Sequence, residues 1–160
     1  GVEEMSKHVD ALLVINRKVD GPSHLKVVEE FGYEMYMHCG AIRKVLLAWQ
    51  TPAFIDEYFK NIILHDQAFP HVRPDDLREE LKKIRQDGYA ITHGEYVTDA
   101  LGIGAPVFNS DGELAGSIGI IAPEIRVDTP EFLDTQKDLV QFYASSLSAD
   151  LGYEKHDVFQ

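Results

Sequence analysis

Two neighbouring glycine-bearing segments restrict this chain more than any other feature. Ala100-Leu-Gly-Ile-Gly-Ala-Pro-Val-Phe108 and Glu113-Leu-Ala-Gly-Ser-Ile-Gly-Ile-Ile121 are apolar and of strand length, and Asn109-Ser-Asp-Gly112 joins them. The joining residues are turn formers, and Gly112 can take the positive φ that such a connection needs, so the pair reads as two adjacent antiparallel strands. Side chains alternate along a strand. Leu101, Ile103, Ala105 and Val107 therefore oppose Ala100, Gly102, Gly104 and Pro106, while Leu114, Gly116, Ile118 and Ile120 oppose Ala115, Ser117, Gly119 and Ile121. Glycine within a strand loses backbone entropy and packs nothing, so an aligned set has a cause: a helix packed close, a bulge, or a ligand-sized recess.

The rest of the chain supplies what would surround those strands. The apolar run within His8 to Arg17 is too short for a free-standing helix and reads as a buried strand. Asp20-Gly-Pro-Ser23 forces a turn into a second strand candidate over His24 to Phe31, and Tyr33 to Met37 is a short third one. The period then changes, with Ile42, Val45, Leu46 and Trp49 at helical spacing after Gly40. Thr51-Pro52 is an N-cap followed by an N1 proline, which predicts a helix to about Asn61 with Phe54, Ile55, Tyr58 and Phe59 inward. Ile62 to Val72 reads as loop with a turn of helix. Pro74-Asp-Asp76 opens a helix that buries Leu77, Leu81 and Ile84 and stops at Gly88. Thr129-Pro130 begins a last long helix with an inner stripe of Phe132, Gln136, Leu139, Val140, Tyr143 and Leu147, ending at Gly152. Strands and helices come in unequal clusters rather than as βαβ repeats, so the expected class is α+β, an antiparallel sheet flanked by helices.

The 160 residues suit a single domain with a real core. A formal net charge of −12 argues against direct contact with nucleic acid, whose phosphates need a basic surface. Apolar runs fall short of a membrane span, no signal-peptide pattern opens the sequence, and Cys39 is the one cysteine, so the expectation is a cytoplasmic chain without disulfides.

Three blocks, in order, resemble the C-terminal effector-binding domain of the IclR family of bacterial transcriptional regulators. They are His38-Cys-Gly-Ala-Ile-Arg-Lys-Val-Leu-Leu-Ala48, then Leu81-x2-Ile84-Arg85-x2-Gly88-Tyr89-Ala90 with Gly94-Glu95, then Gly102 to Phe108 with Asp111-Gly112, Gly116 to Gly119 and Ala122-Pro123. The resemblance spans most of the chain and implies a GAF-like fold with a small-molecule pocket on one sheet face. It further implies a homodimer or homotetramer, and DNA binding through an N-terminal winged helix-turn-helix that these residues do not include. Carried over by position, the effector contacts are the backbone of Ala41 and Ile42, the side chain of Thr92, then Gly102, Gly119 and Ile121, with Met35 and Ala100 on the apolar wall. Ser117 shares the face of Gly119 and Ile121 and is grouped with them.

Members that sense small carboxylic acids resemble one another in having an acid, a thiol and two hydroxyls at the positions of Thr92, Gly102, Gly119 and Ile121. Only Thr92 is polar here, and Arg43 stands where the family usually has glycine. A small oxo-acid needs several convergent donors, since an unpaired buried polar atom costs about 1–3 kcal/mol. The expected ligand is therefore an aromatic or larger carboxylic acid, its polar end on Thr92, His93 or the helix-start amides.

Other classes are weaker. Cys39 beside His38, with His93, could form a thiolate site in an enzyme, but adjacent residues on an extended segment point apart. His38, His65, His71, His93 and Glu95 could converge on a metal, yet no His-Glu-x-x-His or paired-cysteine spacing occurs. Gly102-Ile-Gly104 is a poor nucleotide motif, because Pro106 and Val107 continue a strand where a helix should begin. No cofactor is called for. A dimerisation module with no ligand stays open if bulky side chains fill the recess.

Overall fold

A computed structural model describes residues 12–16 (backbone), 37–65, 72–95, 98–126 and 129–154. Among the described residues four strands, β1 (Leu12–Asn16), β2 (Ala90–His93), β3 (Ala100–Phe108) and β4 (Leu114–Pro123), form one antiparallel sheet in the order β1-β4-β3-β2. The helices among them are α1 (Ala41–Ala48), α2 (Pro52–Asn61), α3 (Pro74–Asp87) and α4 (Pro130–Asp150), with 3-10 turns at Ile63–His65 and Glu124–Arg126. The architecture is α+β, as expected. The expected strands over His24–Phe31 and Tyr33–Met37 lie outside the described residues except for Met37, which is in a turn.

Local chemistry sets the helix ends. Thr51 Oγ1 accepts from Phe54 N at 3.1 Å and Thr129 Oγ1 from Phe132 N at 3.2 Å, each ahead of an N1 proline. Asp75 and Asp76 sit in the first turn of α3, where the helix dipole favours carboxylates, and Gly88 ends it at φ +80°. Asn109 Oδ1 accepts from the amides of Asp111 and Glu113, which closes the β3–β4 hairpin with Gly112 at φ +76°.

The register puts the two bulky rows together, Ile103 opposite Ile120 and Ala105 opposite Ile118. These pack with Leu101, Val107, Val140, Tyr143 and Ala144 under α4. On the other face α1 brings Ile42, Val45, Leu46 and Leu47 into a second core with Tyr58, Phe59, Leu77, Leu81 and Ile84. All eight residues of α1 are buried, because the sheet lies beneath it and α3 lies against it.

Two expectations are corrected. Strict alternation assigned Leu114 to the face of Ile118 and Ala115 to that of Ser117. A register shift at Val107/Phe108 pairs Phe108 with Leu114 and skips a residue, so Leu114 joins the α1-side core and Ala115 the α4-side core. On α4, Phe132 is 41% exposed; the buried residues are Val140, Tyr143, Ala144 and Ser148, with Leu133, Leu139 and Leu147 partly buried against them.

Candidate functional site

The small-residue rows of β3 and β4 lie side by side, Gly102 opposite Ile121, Gly104 opposite Gly119 and Pro106 opposite Ser117. The first turn of α1 descends onto them. A Cβ on Gly104 would meet Ile42 Cα at 2.9 Å and the Ala41 carbonyl group at 3.0 Å; one on Gly119 would meet Ile42 Cγ1 at 2.6 Å and collide with the Ile103 carbonyl. Ser117 Oγ donates to the Ile42 carbonyl at 2.9 Å. Much of the volume left by the missing side chains is thus filled by α1, so the glycine row gives no support to a large apolar ligand.

A recess remains beside Gly102, with room for about one water molecule at roughly 20 Å³. Gly40 to Arg43, Thr92, Glu95, Ala100, Leu101, Gly102 and Ile121 line it. Of the expected contacts, the fold therefore brings together Ala41, Ile42, Thr92, Ala100, Gly102 and Ile121. Ser117 and Gly119 lie beneath Ile42 instead. His93 projects to solvent and pairs with Glu124 at 3.0 Å, because its side chain leaves the strand on the face opposite to that of Thr92. Met35 lies outside the described residues.

The helix-start amides already have protein partners. Ala41 N donates to Thr92 Oγ1 at 3.1 Å and Gly40 N to Glu95 Oε1 at 3.4 Å, so residues distant in sequence cap α1. Glu95 is held in turn by Lys44, whose buried ammonium lies 2.6 Å from Glu95 Oε1 and 2.8 Å from Glu80 Oε1. Sequence reasoning missed Lys44, Glu80 and Glu95 as a unit. Its one trace was the presence of Lys44 and Glu95 within two separate motif blocks. Arg43, the departure noted above, forms part of the recess wall and is itself buried. Its charge and the helix N-terminus bring positive potential to the recess, while the Glu95 carboxylate that also lines it is paired with Lys44.

The competing chemistries find little geometry. Cys39 is fully buried, and His38 Nδ1 lies 2.9 Å from Tyr58 Oη, which also accepts from Met37 N at 2.7 Å. Neither residue lines the recess. Among the described residues no three His, Cys, Asp or Glu side chains come together as metal ligands; the side chains of His65 and His71 are outside that set. No helix among the described residues is long and apolar enough to cross a membrane.

Among the described residues, an antiparallel sheet with helices on both faces and a recess beside a helix start make a GAF-like α+β fold. The family model described as "Bacterial transcriptional regulator IclR C-terminal" matches residues 4–149, and the chain belongs to that family. It is 30% identical over 139 residues to the uncharacterized HTH-type transcriptional regulator RhmR of Escherichia coli, covering 86% of this chain and 53% of that protein. It is also 30% identical over 121 residues to the probable HTH-type transcriptional regulator ArcR of Halobacterium salinarum, covering 72% and 44%. The chain thus spans about half the length of these relatives. Among solved structures, Thermotoga maritima IclR matches with a TM-score of 0.75 at 24% identity, over 95% of this chain and 66% of that one. The C-terminal domain of E. coli KdgR matches with a TM-score of 0.64 at 24% identity, over 73% and 71%. At those identities the structural likeness speaks for the fold alone.

Proposed function

We propose that this domain is the effector sensor of a DNA-binding transcriptional regulator, and that its ligand is a carboxylate-bearing metabolite. The recess beside Gly102 carries this reading: a helix start, the Thr92 hydroxyl and the buried Arg43 border a gap between strands, with Lys44 behind Glu95. An entering carboxylate would compete with Glu95 for the Gly40 amide and Lys44, while Ala100, Leu101 and Ile121 receive its apolar part. A ligand larger than water, aromatic acids included, must lift the first turn of α1. That coupling gives binding a mechanical consequence, since a ligand shifts a conformational equilibrium only through unequal affinity for the two states. DNA contact would fall to a helix-turn-helix elsewhere in the full-length protein, with the acidic domain assembling as a homodimer or homotetramer in the cytoplasm.

A thermal-shift screen of aliphatic and aromatic carboxylic acids tests the proposal. A ligand that binds only the folded state at a hundred times its Kd adds about 2.7 kcal/mol of stability, and Thr92→Val should abolish the gain. If no acid stabilises the domain, it acts in assembly alone. Tight binding of two- or three-carbon acids without any aromatic acid would remove the expected preference for larger ligands.

A further inference from the structure

β2 pairs with β3 only as far as Gly104, which among the described residues leaves Ala105 to Phe108 without a neighbouring strand on that side. The Ala100 carbonyl accepts from Gly94 N on the β2 side, and backbone groups alternate in direction, so Gly102, Gly104 and Pro106 turn theirs the same way. Pro106 has no N–H, and the Phe108 N–H is taken by Ser148 Oγ at 2.9 Å. The edge is therefore blunted against another strand.

Beside this edge lies a cleft of about 450 Å³, within the size range of small-molecule sites. Trp49, Phe108 and Tyr153 give it an aromatic wall: Trp49 meets Phe108 edge-on with ring centroids 6.0 Å apart, and Phe108 lies 5.2 Å from Tyr153. Its polar lining includes Asp87, Gln86, Gln141 and Ser145, and among the described residues no lysine or arginine lines it. The Ser148 hydroxyl is already engaged with Phe108 N and the Ala144 carbonyl. Asp87 is the one charged residue among the described lining of the cleft, whereas Arg43 and Glu95 both line the recess beside Gly102.

We propose that this cleft is a second small-molecule site, which takes a protonated amine carried on a flat aromatic body. The ring would stack within the aromatic wall, and the ammonium would be drawn to Asp87 and the face of Trp49. The site is independent of the effector recess, since none of its lining residues is shared with it.

Trp49 is the only tryptophan in the chain, so its fluorescence reports on this cleft directly. Titration of the 160-residue chain with phenethylamine should change that emission saturably, while phenylacetate, with the same ring and the opposite charge, should not. Asp87→Asn should weaken phenethylamine about fivefold, the scale of a partly solvated ion pair. Ser145→Phe should abolish the response by filling the cleft; Ser145→Ala, which leaves the cleft open, should retain it, and circular dichroism checks the fold of each variant. No saturable change, equal responses to the two probes, or a response unaltered in a folded Ser145→Phe variant overturns the proposal. So does an emission change on concentrating the protein alone, with a dimeric mass and loss of amine binding, which would assign the cleft to a second copy. Carboxylate binding at the other recess should be unchanged in Asp87→Asn, so the two sites fail or succeed separately.

Discussion

The side chain of Ile42 crowds the position where Gly119 would carry a Cβ, with Ile42 Cγ1 only 2.6 Å from that point and the Ile103 carbonyl closer still. This relationship fixes how deeply α1 sits on the sheet. It also explains why β3 and β4 tolerate glycines opposite one another in the middle of a sheet.

Gly104→Ala should therefore destabilise the domain by about 1–3 kcal/mol, as overpacking does, because its new methyl would press on α1 backbone. Gly102→Ala should cost less, since its nearest obstacle is the Thr92 hydroxyl at 2.9 Å, a side-chain group. Urea midpoints of the two variants give the comparison; a smaller loss for Gly104→Ala would refute this account of the glycine row.

Thr92→Val keeps the shape of the side chain but leaves the Ala41 N–H without its acceptor in a buried place. A stability loss of about 1–3 kcal/mol is expected. Thr92→Ser, which retains the hydroxyl, should lose much less. Equal losses in chemical denaturation would mean that the methyl, not the hydroxyl, holds α1.

Lys44 and Glu95 should be energetically coupled. In a double-mutant cycle with Lys44→Met and Glu95→Gln, an interaction energy of about 0.5–3 kcal/mol is expected, the range for residues in one charged network. Glu80 remains to pair with Lys44 when Glu95 is neutralised, so Glu95→Gln should be the milder single change. A coupling indistinguishable from zero would show that Glu95 does not anchor the start of α1.

Cys39, fully buried, should react with a thiol reagent only through opening of the fold. Its labelling rate in native buffer should be far below that in urea and should rise in step with destabilising variants. Fast labelling of the folded protein would reopen the thiolate reading.

Sequence alone determined most of the local structure. Helix limits at Thr51-Pro52, Pro74, Gly88 and Thr129-Pro130 were legible because caps and prolines act through the nearest few residues. The β3–β4 hairpin was legible for the same reason, and the two-fold alternation of side chains placed Ile103 and Ile118 on one face. Alternation failed only at Leu114 and Ala115, where a bulge inserted a residue that no local pattern marked. Tertiary structure alone decided what lies over the glycine row, because sequence records a missing side chain but not the object that fills its place. It also decided the caps on α1: Thr92 and Glu95 lie more than fifty residues from the amides they satisfy, and only the folded sheet brings them together.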